Sequence, residues 1–222
     1  MAKKKAAQLN IVFVLDMTGS MEEVKQQAIS GYNEYVTTMQ KSEPKASMAL
    51  TTFNSAEIKV YPAAPVGKAM LLNDSNYRPN SNTPLYDAIG KTLAETEQRV
   101  APGDKVAFVI LTDGLENASK EYTKAGIFAK LKEKEAAGWG IVYLGANQDA
   151  YQAAMGLGID QTNVAAYAAG QTKRAIGRGA GTASLNYFRT GQTGNLMAGV
   201  DKDALLDKGA GAPFKKKKKS KK

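Results

Sequence analysis

The 222-residue sequence contains no cysteine and no histidine. Without thiolate or imidazole groups it cannot build zinc-type sites, disulfides, a Ser-His-Asp triad or a Cys-His pair, so whole reaction classes drop out. Long apolar runs are missing as well. None exceeds the six residues of Val106–Leu111, against the roughly 20 that cross a bilayer. A Gly-x-x-x-x-Gly-Lys-Ser/Thr phosphate loop is absent, so any ATPase activity would come from a partner. Lys3, Lys4 and Lys5 ahead of Ile11–Leu15 mimic a secretory start, but the apolar part is short and runs straight into Asp16. The expectation is a cytoplasmic chain with no membrane segment, virion association being the other placement.

What is present suffices for a core: 43% of the residues are hydrophobic. The net charge of +9 is unevenly placed. Lys3–Lys5 supply three cations, and Lys215–Lys219 with Lys221 and Lys222 supply seven, with no acid in either tail; 20 basic residues then face 21 acidic ones in the body. The expected organisation is a basic N-terminal tail over 1–7, one domain over 8–190 and a flexible, lysine-rich tail over 191–222. Such a tail reads as a solvated end or as a sequence-independent phosphate binder. If all seven lysines engaged nucleic acid, the slope of log affinity against log salt would be about −6.

Ile11–Leu15, Val106–Leu111 and Ile141–Leu144 are short apolar runs of the kind buried on both faces of a parallel sheet. Met21, Val24, Ala28, Tyr32, Tyr35 and Met39 recur at helical spacing. Met48–Phe53 and Ile58–Tyr61 read as a hairpin ending in an edge strand, followed by a surface connection over 62–82. Thr83-Pro84 opens a helix whose buried stripe is Leu85, Ile89, Leu93 and Val100. Ser119 reads as the N-cap of the next helix, carried by Ile127, Phe128 and Leu131 to Gly138. Beyond it, Ala150–Met155 reads as helix, Val164–Tyr167 as a last strand and Thr172–Phe188 as an Ala/Gly-rich helix. This alternation predicts an α/β fold: doubly wound, Rossmann-like, with a mostly parallel central sheet and an antiparallel edge strand.

Ligands of such sheets sit beyond the carboxyl ends of the strands. There the sequence places Asp16, Thr18 and Ser20 after the first run, Thr83 at the mouth of a helix, and Asp113 after the second run. Two carboxylates and three hydroxyls form an all-oxygen set suited to a hard cation such as Mg²⁺ or Mn²⁺. Each group alone has a plainer reading. Ser20 with Glu23 forms a capping box, Thr83 before Pro84 is an N-cap, and Asp113-Gly114 is a turn.

Asp16-Met17-Thr18-Gly19-Ser20-Met21, Thr83-Pro84-Leu85-Tyr86-Asp87-Ala88-Ile89 and Leu111-Thr112-Asp113-Gly114-Leu115-Glu116-Asn117 resemble the von Willebrand factor A domain and its metal-ion-dependent adhesion site. The resemblance spans roughly Gln8 to Arg189. Leu144-Gly145-Ala146-Asn147-Gln148-Asp149-Ala150 is similar to a subgroup common in bacteria and their phages. Thr18 departs from the usual serine but keeps the hydroxyl, and Met17 stands where many bacterial members carry arginine. The resemblance implies that Asp16, Thr18, Ser20, Thr83 and Asp113 surround a metal, Mg²⁺ with Mn²⁺ or Ca²⁺ as alternatives. It implies a non-enzymatic module whose metal accepts an Asp or Glu of a partner protein. The partners it suggests are an AAA+ ATPase or a virion or assembly component. The competing readings are a Mg²⁺-dependent phosphohydrolase of the haloacid dehalogenase type, with Asp16 as nucleophile, and a structural or nucleic-acid-associated protein acting through its basic tails. Position 18 argues against the phosphohydrolase, because Thr cannot serve as the general acid expected two residues after the nucleophile.

Overall fold

The computed structural model describes residues 7–43, 45–146 and 149–206. The lysine runs of both termini, and Asn147 and Gln148 of the motif quoted above, lie outside the described residues. Six strands form one sheet: β1 (Leu9–Asp16), β2 (Ser47–Phe53), β3 (Ile58–Pro65), β4 (Lys105–Thr112), β5 (Gly140–Ala146) and β6 (Val164–Tyr167). Their order is β3-β2-β1-β4-β5-β6, with every neighbouring pair parallel except β2 and β3.

The sheet is buried on both faces because its central strands are apolar at both parities. Ile11, Phe13 and Leu15 of β1 join one core layer and Val12 and Val14 the other. The first layer is closed by α1 (Lys25–Ser42), which a 3-10 turn at Gly19–Val24 precedes, and by a long C-terminal helical stretch. That stretch runs through α5 (Thr172–Arg174), a π-helical segment at Ala175–Ala180 and α6 (Gly181–Thr190). The second layer is closed by α2 (Leu85–Arg99), α3 (Lys124–Ala136) and α4 (Ala150–Gly156). The connection after β1 leads to one side of that strand and the connection after β3 to the other, so the order reverses between β1 and β4, where doubly wound folds place their ligands.

Four expectations need correction. Strand β3 continues through Pro62 to Pro65, because it lies at the sheet edge and the register shift between Met48 and Leu50 absorbs Pro62, while Pro65 closes the strand opposite Ser47. The connection that follows is not merely superficial, since Val66, Leu72 and Tyr77 are buried in the core. Helix α3 is capped by Thr123, whose hydroxyl accepts the Gly126 N–H, and Phe128 on it is 42% exposed. Finally, the chain after Gly191 contributes Leu196, Met197 and Leu205 to the core and ends its described part in α7 (Lys202–Leu206).

Candidate metal centre

Asp16 is the last residue of β1 and is fully buried. Its Oδ1 accepts the Thr18 N–H at 2.7 Å and its Oδ2 accepts the Thr112 hydroxyl at 2.6 Å. The following loop is pinned from two sides. Met17 donates its N–H to the Phe53 carbonyl and Gly19 to the Ser81 carbonyl, while Asn80 donates to the Met17 carbonyl. Tyr77 reaches under the loop and donates its hydroxyl to the Asp16 main-chain oxygen at 2.5 Å.

The Ser20 hydroxyl lies 2.6 Å from Asp113 Oδ1 and 3.2 Å from the Thr18 hydroxyl. One contact therefore joins the loop after β1 to the loop after β4. Gly114 completes the convergence: a Cβ built on it would stand 3.0 Å from Thr83 Oγ1 and 3.8 Å from Ser20 Oγ. Asp16, Thr18, Ser20, Thr83 and Asp113 thus all meet at one end of the sheet. The capping readings of Ser20 and Thr83 are not realised. Thr18 and Pro84 hold the N-cap positions, and neither turn nor helix has a side-chain cap bond.

Other residues of this end escaped the sequence reading. Thr112 looked like an ordinary β-forming strand residue, and Tyr77 sat in a stretch without periodicity. Glu116 accepts the N–H groups of Tyr86, Ala118 and Ser119, at 3.0, 2.9 and 2.7 Å. Asp87 accepts those of Lys120, Glu121 and Tyr122, at 2.8, 2.9 and 2.8 Å. Asn117 closes the brace by accepting the Thr83 N–H at 2.8 Å. The signal available was a carboxylate in the first turn of a helix facing a polar, Gly- and Asn-containing loop, which marks a backbone in need of acceptors.

Burial pushes the Asp16 carboxyl up to about 6, against the opposing hydrogen bonds from Thr112 and Thr18, and the Asp113 charge adds to the rise. Asp113 is raised too, again chiefly by burial. The Tyr77 hydroxyl is driven upward by burial and then by both carboxylates. Among the described residues no ion pair reaches Asp16 or Asp113. A buried carboxylate beside a half-buried one, neither with a basic partner, fits a cation. The donor set would serve it through oxygen alone: among the described residues no group of three or more acidic residues gathers here, so hydroxyls and water must complete the shell.

Solved structures share this fold at low sequence identity. The pilus adhesin SpaC of Lactobacillus rhamnosus GG superposes with a TM-score of 0.64 at 15% identity, over 83% of this chain and 31% of the adhesin. The von Willebrand factor domain of the type V pili tip protein Mfa5 from Porphyromonas gingivalis gives 0.62 at 10% identity, over 81% of this chain and 96% of that domain. A von Willebrand factor type A protein from Catenulispora acidiphila gives 0.54 at 14% identity, over 81% and 43%. The fold is that of a von Willebrand factor A domain. No family model and no curated protein matches the sequence. The chain spans about a third of the length of SpaC. Within the von Willebrand factor A fold of this chain, no helix among the described residues is long and apolar enough to cross a membrane.

Proposed function

We infer that this von Willebrand factor A fold is a protein-interaction module that captures an acidic side chain of its partner through a divalent cation, Mg²⁺ in the first instance. The observation that carries this reading is the Ser20 hydroxyl held between Thr18 and Asp113, with Thr83 beside Gly114, at the switch point of the sheet. Asp16, Thr18, Ser20, Thr83 and Asp113 would hold the ion, some through water. When bound, it supplies an electrophilic position open to a carboxylate, since hydroxyl and water ligands neutralise little of its charge. Asp16 and Asp113 fix the charge, Thr112 and Tyr77 hold the Asp16 loop, and Glu116 and Asp87 keep the opposite lip in place. The similarity to pilus and pilus-tip proteins supports an adhesive role rather than turnover. The phosphohydrolase reading gains nothing, because the residue two positions after Asp16 is Thr18, which cannot serve as its general acid, and the similar structures are a pilus adhesin and a pilus-tip protein.

The test is direct binding of Mn²⁺, followed by electron paramagnetic resonance, to the full chain and to Asp113→Ala. One tightly bound ion in the parent, and affinity reduced by about 100-fold or more in the variant, is the expected result. Equal binding by both proteins would overturn the assignment.

A further inference from the structure

We propose that a cleft next to the candidate metal centre takes a bulky apolar side chain of the partner, borne within about two residues of the Asp or Glu that faces the ion. This rests on the function inferred above and names the kind of partner it fits: an acidic segment with a large aliphatic or aromatic neighbour.

Two contiguous hollows border Gly114, and the nearer one reaches Asp113. The nearer, of about 80 Å³, is lined among others by Asp113, Gly114, Tyr143 and Ala153. The farther, of about 220 Å³, is walled by Leu85, Tyr86, Leu115, Tyr143, Ala153 and Leu157. An apolar cavity of ~150 Å³ already holds benzene, so the farther hollow has room for a Leu, Met or Phe side chain. The hollows share Gly114, Leu115, Tyr143 and Ala153, and Gly114 also borders Thr83 and Ser20. An extended segment that advances ~3.3 Å per residue therefore passes from the oxygens into the cleft in a step or two.

Three further features select the occupant. Leu115 stands at the rim with 64% of its surface exposed, an uncovered apolar group directly after Asp113-Gly114. The wall that carries it is preorganised, because the Glu116 carboxylate is spent on the N–H groups of Tyr86, Ala118 and Ser119; a ligand would not have to order it. Lys124 lines the same hollow and has no ion pair among the described residues, so it is the one uncommitted cation that a carboxylate of the segment meets there; Glu116 of that hollow is engaged by N–H groups, and Asp113 and Asp149 line the nearer hollow on the side of the ion.

The experiment selects random dodecapeptides on the immobilised full chain in Mg²⁺ and elutes with EDTA, with Mn²⁺ binding measured in parallel on the same protein. Eluted peptides are expected to carry Asp or Glu with Leu, Ile, Met, Phe or Trp within about two residues. Replacing that apolar residue by Ala should weaken binding about tenfold or more, and Ala153→Trp, which fills the cleft, should do likewise. If Ala153→Trp melts below the parent, Leu115→Ser at the exposed rim carries the same test. Failure to bind Mn²⁺ would overturn both this proposal and the function beneath it. Mn²⁺ binding with acidic peptides indifferent to the apolar neighbour, or with no peptide recovered, would overturn the cleft alone.

Discussion

The hydroxyl of Thr112 lies 2.6 Å from Asp16 Oδ2 and accepts the Gly114 N–H at 3.1 Å. A single buried oxygen thus ties the carboxylate at the end of β1 to the turn that follows β4. Thr112→Val keeps the shape and removes both bonds. It should cost about 1 to 3 kcal/mol in urea unfolding, since a buried carboxylate oxygen and a backbone N–H lose their partner. Mn²⁺ affinity should fall about 10- to 100-fold, the usual effect of losing an outer partner of a ligand. Unfolding and metal titration that both match the parent would show that Thr112 positions nothing.

Asp113 raises its neighbour Asp16, and no basic group among the described residues offsets the pair. Removing one charge should therefore act in opposite directions with and without metal. In EDTA, Asp113→Asn should melt at or above the parent temperature, because like-charge repulsion is relieved. In Mg²⁺ the parent should gain stability as the ion binds the folded state, and the variant should gain far less. Calorimetry of both proteins in both conditions tests this. A variant that melts well below the parent in EDTA would mean that Asp113 stabilises the fold through its bond to Ser20 rather than straining it.

The layout of this end of the sheet was legible where a polar residue interrupts a doubly buried run. Asp16 and Asp113 stand out because each is a carboxylate at the end of a doubly buried apolar run, Asp16 directly after Leu15 and Asp113 after Leu111 and Thr112. Thr112 did not stand out, because threonine is at home in a strand and its role depends on an oxygen 96 positions away. Tyr77 was hidden in a connection without periodicity. Phe128 was misread for the opposite reason: its spacing is helical, but α3 lies at the margin of its layer, and only Ile127 and Leu131 on it are buried. Leu196, Met197 and Leu205 are three apolar residues scattered among Gly, Asn and charged positions, and only tertiary packing gives them a common face.

Asp87 accepts three consecutive N–H groups from Lys120, Glu121 and Tyr122, and so holds the end of the metal-side loop against α2. Bonds to an ionised acceptor are worth about 1.5 to 3 kcal/mol each but do not add, so Asp87→Ala should destabilise the chain by about 3 kcal/mol. The loop should also open locally, and tryptic cleavage after Lys120 should accelerate under native conditions. Unchanged proteolysis together with a small loss of stability would indicate that the loop is held elsewhere.

Gly31 of α1 lies where the C-terminal helical stretch crosses closest. A Cβ on it would stand 2.9 Å from the Lys173 carbonyl oxygen and 3.0 Å from Ile176 Cβ, at the junction of α5 and the π-helical segment. Two effects compete in Gly31→Ala. Helix propensity favours the alanine by about 1 kcal/mol, while overlap in a filled interface costs about 1 to 3 kcal/mol. The nearest atom belongs to backbone rather than to the end of a flexible side chain, so overlap should win and urea unfolding should show a net loss of about 1 kcal/mol. Gly67→Ala, with nothing within 4 Å of its Cβ position, isolates the backbone contribution and should be near neutral or slightly stabilising. A Gly31→Ala protein more stable than the parent would show that α5 can withdraw from α1 at little cost, and the close crossing would then be a consequence of the glycine rather than a requirement for it.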